Sequence, residues 1–202
     1  MSTATARHEP GVRPPRLECY TCFKPQVACI CASIERVPNR TGVIILQHPH
    51  ERLHPVGTVR IARLGLERVR VESCAPWLDA TAIRARLPAQ AALLYPGPGA
   101  VELSTLAPDE RPRHLVLIDA TWFKAKKIYA AHDWLRALPH LQLRPSVPSR
   151  YRIRREPQPH FVATLEAIVD ALRILEPQTS GLDGLVDAFV AMIDRQATFM
   201  GR

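Results

Sequence analysis

Three short runs constrain the fold more than anything else in this chain: Val43-Ile44-Ile45-Leu46, Ala91-Ala92-Leu93-Leu94 and Leu115-Val116-Leu117-Ile118. Each is apolar at every position. A strand with one wet face would alternate polar and apolar residues, and a helix would need a longer run. These segments are therefore read as strands buried on both faces, over 41–47, 91–95 and 113–118. Val69–Val71 is expected as a further short strand and Leu141–Leu143 as a short edge strand. Between them lie stretches with helical spacing. One starts near Gly57-Thr58 and puts Val59, Ala62 and Leu66 on one side; the others cover 80–87 and 123–138. Two more close the chain, with Phe161, Leu165, Ile168, Val169 and Leu172 on one face and Leu182, Leu185, Val186, Phe189, Val190 and Ile193 on the next. Helices alternating with strands of this kind predict an α/β fold, a mostly parallel sheet with helices on both faces.

The central run ends abruptly in Asp119-Ala120-Thr121-Trp122. A carboxylate and a hydroxyl at the end of a parallel strand lie where open α/β sheets bind ligands. The alternative is a helix cap, with Asp or Thr opening the helix near Phe123 and Trp122 packed in the core. His48 and Glu51 follow the first strand, and Tyr95-Pro96-Gly97 follows the third long one. Parallel strand ends converge on one rim, so these segments and Asp119 can share a cleft. No Gly-x-Gly-x-x-Gly follows the first strand and no Gly-x-x-x-x-Gly-Lys-Ser/Thr occurs, which argues against a dinucleotide-binding or P-loop enzyme.

Four of the five cysteines, Cys19, Cys22, Cys29 and Cys31, form C-x2-C-x6-C-x-C. Four thiolates close a tetrahedral zinc shell with no open position, so such a zinc would be structural. Buried thiols, an unmetallated redox pair and an iron–sulfur cluster are the other readings. Cys74 stands apart and reads as a core residue.

Lys and Arg number 27 against 19 Asp and Glu, a net charge of +8. The resulting pI of about 9.7 favours a polyanionic partner, nucleic acid before membrane. Five arginines between Arg144 and Arg155, interleaved with Tyr151, suit phosphate contacts with base stacking; a solvated loop is the plainer meaning. Further on, Thr164 and Glu166 lie in the first turns of a helix opened near His160. Its free N–H groups could take an anionic group, and Glu166 an ammonium. No run reaches the roughly 18 apolar residues of a membrane span, and residues 1–15 lack an apolar core, so a cytoplasmic protein is expected.

Taken in order, these segments resemble the DTW-domain family. The resemblance is carried by the cysteine cluster, Gln47-His48-Pro49 with Glu51, Leu94-Tyr95-Pro96-Gly97, Asp119-Ala120-Thr121-Trp122, Pro148-Ser149-Arg150-Tyr151 with Arg152 and Arg154, and Thr164-Leu165-Glu166-Ala167. One departure is Ala120, where the family often has Gly. The resemblance implies a tRNA-uridine aminocarboxypropyltransferase that moves the 3-amino-3-carboxypropyl group of S-adenosylmethionine to N3 of a uridine in tRNA. It implies a SPOUT-like, knotted catalytic domain over 37–202; ahead of it the cysteines mark a zinc-binding segment at 17–36, and the polar, proline- and arginine-containing residues 1–16 are expected as a disordered tail. No obligate protein partner and no membrane association are expected.

Under that resemblance Asp119 is the expected base, or else a grip on the cofactor's ammonium. Tyr95, Pro96, Gly97, Thr121, Trp122, Ser149, Tyr151, Thr164 and Glu166 are the cofactor candidates. Lys124, Lys126, Lys127, Arg150, Arg152 and Arg154 are the RNA candidates. Two other functions fit the same residues: a SPOUT-like RNA methyltransferase using the same cofactor, and a zinc-containing RNA-binding module without catalysis.

Overall fold

A computed structural model describes residues 17–144 and 162–200. The expected tail at 1–16, and Ser149, Arg150, Tyr151, Arg152, Arg154, His160 and Phe161, lie outside the described residues.

The strands are β1 (Gly42–Gln47), β2 (Val69–Ser73), β3 (Ala91–Leu94), β4 (Val101–Glu102), β5 (His114–Asp119) and β6 (His140–Gln142). They form one sheet in the order β2-β1-β5-β3-β6-β4, with every pairing parallel. The sheet therefore has a single carboxyl rim. The helices are α1 (Val59–Gly65), α2 (Thr81–Ala85), α3 (Trp122–Ala131), α4 (Asp133–Arg136), α5 (Thr164–Leu175) and α6 (Leu182–Met200).

Strand periodicity of two explains why the apolar runs are continuous. Val43, Ile45, Leu115 and Leu117 pack with α1, α5 and α6 on one face. Ile44, Leu46, Leu93 and Val116 pack with Ile83 of α2, Ile128 of α3 and Leu135 of α4 on the other. Alternate residues thus enter different cores, and each must be apolar. Helices cover both faces, as the sequence predicts.

Three expectations need correction. The segment 123–138 is not one helix, because the backbone of His132 turns extended and separates α3 from α4. The strand near Leu141 is not an edge: β6 lies between β3 and β4, and the two-residue β4 takes the edge. Two residues after Pro96-Gly97-Pro98-Gly99-Ala100 carry no periodicity to read. Finally, α5 opens at Thr164, not near His160, with Ala163 as its cap residue.

Gly181 has φ +84 in the turn between α5 and α6, a left-handed position that glycine fills without strain. Beyond that turn, α6 buries Leu182, Leu185, Val186, Phe189 and Ile193 against α1 and α5. Among the described residues, no helix is long and apolar enough to cross a membrane.

Candidate active site

Register and parity place Asp119 before any tertiary contact is considered. Gln47 and Asp119 are the last residues of neighbouring parallel strands and are paired in register. Asp119 also shares parity with Leu115 and Leu117, so its side chain leaves the sheet on the α5 face. There Thr164, the first residue of α5, donates its hydroxyl hydrogen to Asp119 Oδ1 at 2.6 Å. Gln47 Nε2 donates to Asp119 Oδ2 at 3.0 Å. The carboxylate is thus gripped from two sides at the rim of the sheet.

Asp119 is not the cap residue of α3. It ends β5, and Thr121 holds the cap position of α3 without a side-chain capping bond. Trp122, only partly buried, lines a cavity of about 220 Å³ beside the carboxylate. Leu94, Tyr95 and Pro96 after β3, Ile118 and Ala120 around β5, and Thr164 and Ala167 of α5 also line it. Four of the cofactor candidates, Tyr95, Pro96, Trp122 and Thr164, therefore meet in one place. Gly97, Thr121 and Glu166 are not part of its lining. The Cβ position of Gly97 has open space around it, so no close approach demands glycine there. Glu166 turns back on its own helix, where Oε2 accepts from Ala163 N at 2.8 Å.

Tyr129, which backs the wall residue Tyr95 from outside the lining, is the residue that sequence reading misses. Its ring stacks on Tyr95 at 4.6 Å between centroids, 11° from parallel. Its hydroxyl lies 3.0 Å from His140 Nε2. His140 Nδ1 faces the Leu138 carbonyl, which can only accept, so Nδ1 carries the proton and Nε2 accepts from Tyr129. Burial, followed by Tyr129, raises the Tyr95 phenol above its ordinary range and keeps it neutral. The one available signal was spacing, since Tyr129 lies one turn beyond Ala125 of the cavity wall.

The loop after β1 forms the neighbouring stretch of rim. Buried His48 accepts from His50 N through Nδ1 at 3.2 Å and meets Trp77 edge-on at 5.4 Å. Burial, then Lys124 and His50, push the His48 imidazole down from its ordinary value. Lys124 pairs with Glu51 at 3.5 Å, tying α3 to this loop. Of the three candidate lysines, Lys126 and Lys127 are exposed, and Lys127 sits 4.3 Å over the Phe123 ring.

Cys19, Cys22, Cys29 and Cys31 converge with all four sulfurs within 4.8 Å of one another. Sγ separations are 3.7 Å for Cys19–Cys31 and 3.8 Å for Cys22–Cys29. A tetrahedron with metal–sulfur bonds of about 2.3 Å has edges of about 3.8 Å. The group has the size of a metal tetrathiolate, and all four cysteines are free thiols. Backbone N–H groups of Cys22 and Thr21 lower the Cys19 thiol to about 6, whereas burial and the neighbouring thiols raise Cys31. A dication is the partner that would let all four ionise together. Four cations hold this knuckle by its carbonyls and those beside it. Arg60 reaches Cys22 O and His54 O, Lys24 reaches Pro55 O, Arg195 reaches Cys29 O and Arg63 reaches Thr21 O. Cys74 is buried, as expected of a core residue.

A family model for the DTW domain matches residues 16–197. The chain belongs to the DTW-domain family. It is 33% identical over 172 residues to a Drosophila melanogaster protein named tRNA-uridine aminocarboxypropyltransferase 2, covering 80% of this chain and 67% of that relative. A Mus musculus protein of the same name is 32% identical over 179 residues, 80% of this chain and 57% of the relative. An Arabidopsis thaliana protein named tRNA-uridine aminocarboxypropyltransferase A is 24% identical over 215 residues, 90% of this chain and 81% of the relative. The chain thus spans about two thirds or less of the length of the two animal relatives. No solved structure matches it significantly.

Proposed function

We propose that this DTW-domain chain transfers the 3-amino-3-carboxypropyl group of S-adenosylmethionine to N3 of a uridine in tRNA. The observation that carries this is the Asp119 carboxylate, held by Gln47 and Thr164 at the rim of the sheet beside an apolar, tyrosine-walled cavity. The names of the relatives in three organisms support the reaction and its RNA.

The cavity suits the cofactor's chemistry. Leu94, Pro96, Trp122 and the stacked Tyr95 offer apolar and aromatic surface to a flat adenine. When bound, the sulfonium supplies an electrophilic Cγ and methylthioadenosine as the leaving group. N3 of uridine is a poor nucleophile while protonated, so the protein must take that proton as the N3–Cγ bond forms and the Cγ–S bond breaks. Asp119 is the group for this. Both its oxygens accept hydrogen bonds from donors on other elements, which fixes the plane of the carboxylate. A positioned base contributes about 10²–10⁴-fold. Lys126 and Lys127, exposed on α3 just past Asp119, are the described candidates for RNA phosphates, and the arginines of 150–154 follow from the family resemblance. The knotted, SPOUT-like topology belongs to the same proposal, as does zinc in the cysteine knuckle.

The test is incubation with unmodified tRNA and S-adenosylmethionine labelled in its aminocarboxypropyl carbons. The expected result is label in RNA with stoichiometric methylthioadenosine. Release of S-adenosylhomocysteine with methylated RNA would replace this reading with methyl transfer, and absence of cofactor binding would leave a non-catalytic RNA-binding module.

A further inference from the structure

The cysteine knuckle presents more apolar surface than its own folding needs. Tyr20 is 93% exposed, Val27 80%, Leu17 67% and Phe23 42%. Half of the large exposed hydrophobic side chains among the described residues therefore fall between positions 17 and 27. Phe23 is also the one non-glycine residue among them with positive φ, at 54°. That conformation crowds the Cβ of any L-residue, and glycine would satisfy the turn without strain. The turn thus keeps a phenylalanine where its own geometry favours glycine, and the ring is left half out. Above it sits the Arg63 guanidinium, 5.6 Å from the ring centroid.

We propose that this face of the knuckle binds RNA, with Tyr20 and Phe23 stacking an unpaired nucleotide of the tRNA substrate and Arg63 meeting its phosphate. The proposal rests on the tRNA reading above. Exposed aromatic rings beside arginine are the combination that holds single-stranded nucleotides, because every base has a stacking face and every linkage a charge. The chain's net charge of +8 is complementary to that partner. The platform is also rigidly placed. Lys24, anchored on Pro55 O at 2.8 Å, and Arg60, bridging Cys22 O at 3.0 Å and His54 O at 2.6 Å, fasten the knuckle to the loop after β1. The knuckle is thereby tied to the segment that follows Gln47 at the end of β1, and the Gln47 side chain holds Asp119.

The experiment measures the affinity of the full chain for an unmodified, in vitro transcribed tRNA. It compares wild type with Tyr20→Ala, Phe23→Gly, their double variant and Tyr20→Trp. Zinc content and melting temperature are recorded for each. Loss of one base stack is worth roughly 5- to 150-fold in affinity, so the double variant should bind at least tenfold more weakly. Phe23→Gly should keep its metal and its melting temperature, since it relieves the strained turn. Tyr20→Trp keeps a stacking face and should bind no more weakly than wild type. Equal tRNA affinity in wild type and double variant, with wild type still transferring label, would overturn the platform alone. Failure of wild type to bind tRNA at all would overturn the underlying function as well.

Discussion

Replacing Asp119 by Asn separates chemistry from folding, because the surrounding hydrogen bonds can adapt to an amide. Asp119 accepts at 2.6 Å from the Thr164 hydroxyl and at 3.0 Å from Gln47 Nε2. Asn can turn its oxygen to Gln47 and its NH₂ to Thr164, whose hydroxyl rotates from donor to acceptor. Two bonds to a carboxylate, each worth about 1.5–3 kcal/mol, become neutral ones worth about 0.5–1.5 kcal/mol. The lower cost of burying an amide offsets part of that loss. The variant should therefore be less stable by only about 1–2 kcal/mol, which lowers Tm by about 2–8 °C in a chain of this size. Turnover should fall about 10²–10⁴-fold, because the amide cannot take the N3 proton. The assay is single-turnover transfer of aminocarboxypropyl label to saturating tRNA, alongside thermal melting and cofactor affinity. Turnover within a few-fold of wild type would refute the base assignment. Loss of cofactor affinity without loss of the bound-state rate would make Asp119 a cofactor ligand instead.

Four further outcomes follow from the geometry. Glu176 is 2% exposed, with Oε1 accepting from Thr41 N and Oε2 from Arg40 N. In Glu176→Gln either orientation turns NH₂ against a backbone N–H, so urea unfolding should show a loss of about 2–4 kcal/mol. Chelation of the purified protein should release one metal ion per chain and lower Tm, while an unchanged Tm after complete metal removal would contradict a structural tetrathiolate. His48 titrates below its ordinary value because it is buried and faces Lys124, so it favours the folded state when neutral. That contribution is complete above the ordinary imidazole pKa of about 6.5 and is lost as pH falls toward the lower folded value; His48→Gln should flatten this part of a stability–pH curve. An alanine Cβ at Gly65 would sit 2.3 Å from Leu185 Cδ2 and 3.1 Å from Ile34 Cγ2, so Gly65→Ala should cost about 1–3 kcal/mol by forcing α1 from α6, read as a lower urea midpoint.

The sequence by itself determined the strands, because a strand buried on both faces must be apolar at every position. That is why 43–46, 91–94 and 115–118 could be read directly, and why helices on both faces followed. It also marked Asp119, since a carboxylate ending such a run has no core to enter. The four cysteines were legible for a similar local reason, as their spacing lies within one short segment. What the sequence did not carry was anything set by contacts between distant residues. The edge position of β4, the break at His132 and the start of α5 at Thr164 each depend on neighbours far along the chain. So do the bonds that Gln47 and Thr164 give to Asp119, since these residues stand 72 and 45 residues from it. Tyr129 supports the cavity wall only because α3 brings its ring onto Tyr95, and no periodicity in either segment encodes that encounter. Hydrophobic pattern is a local property of the chain, whereas a site is made of side chains that only folding brings together.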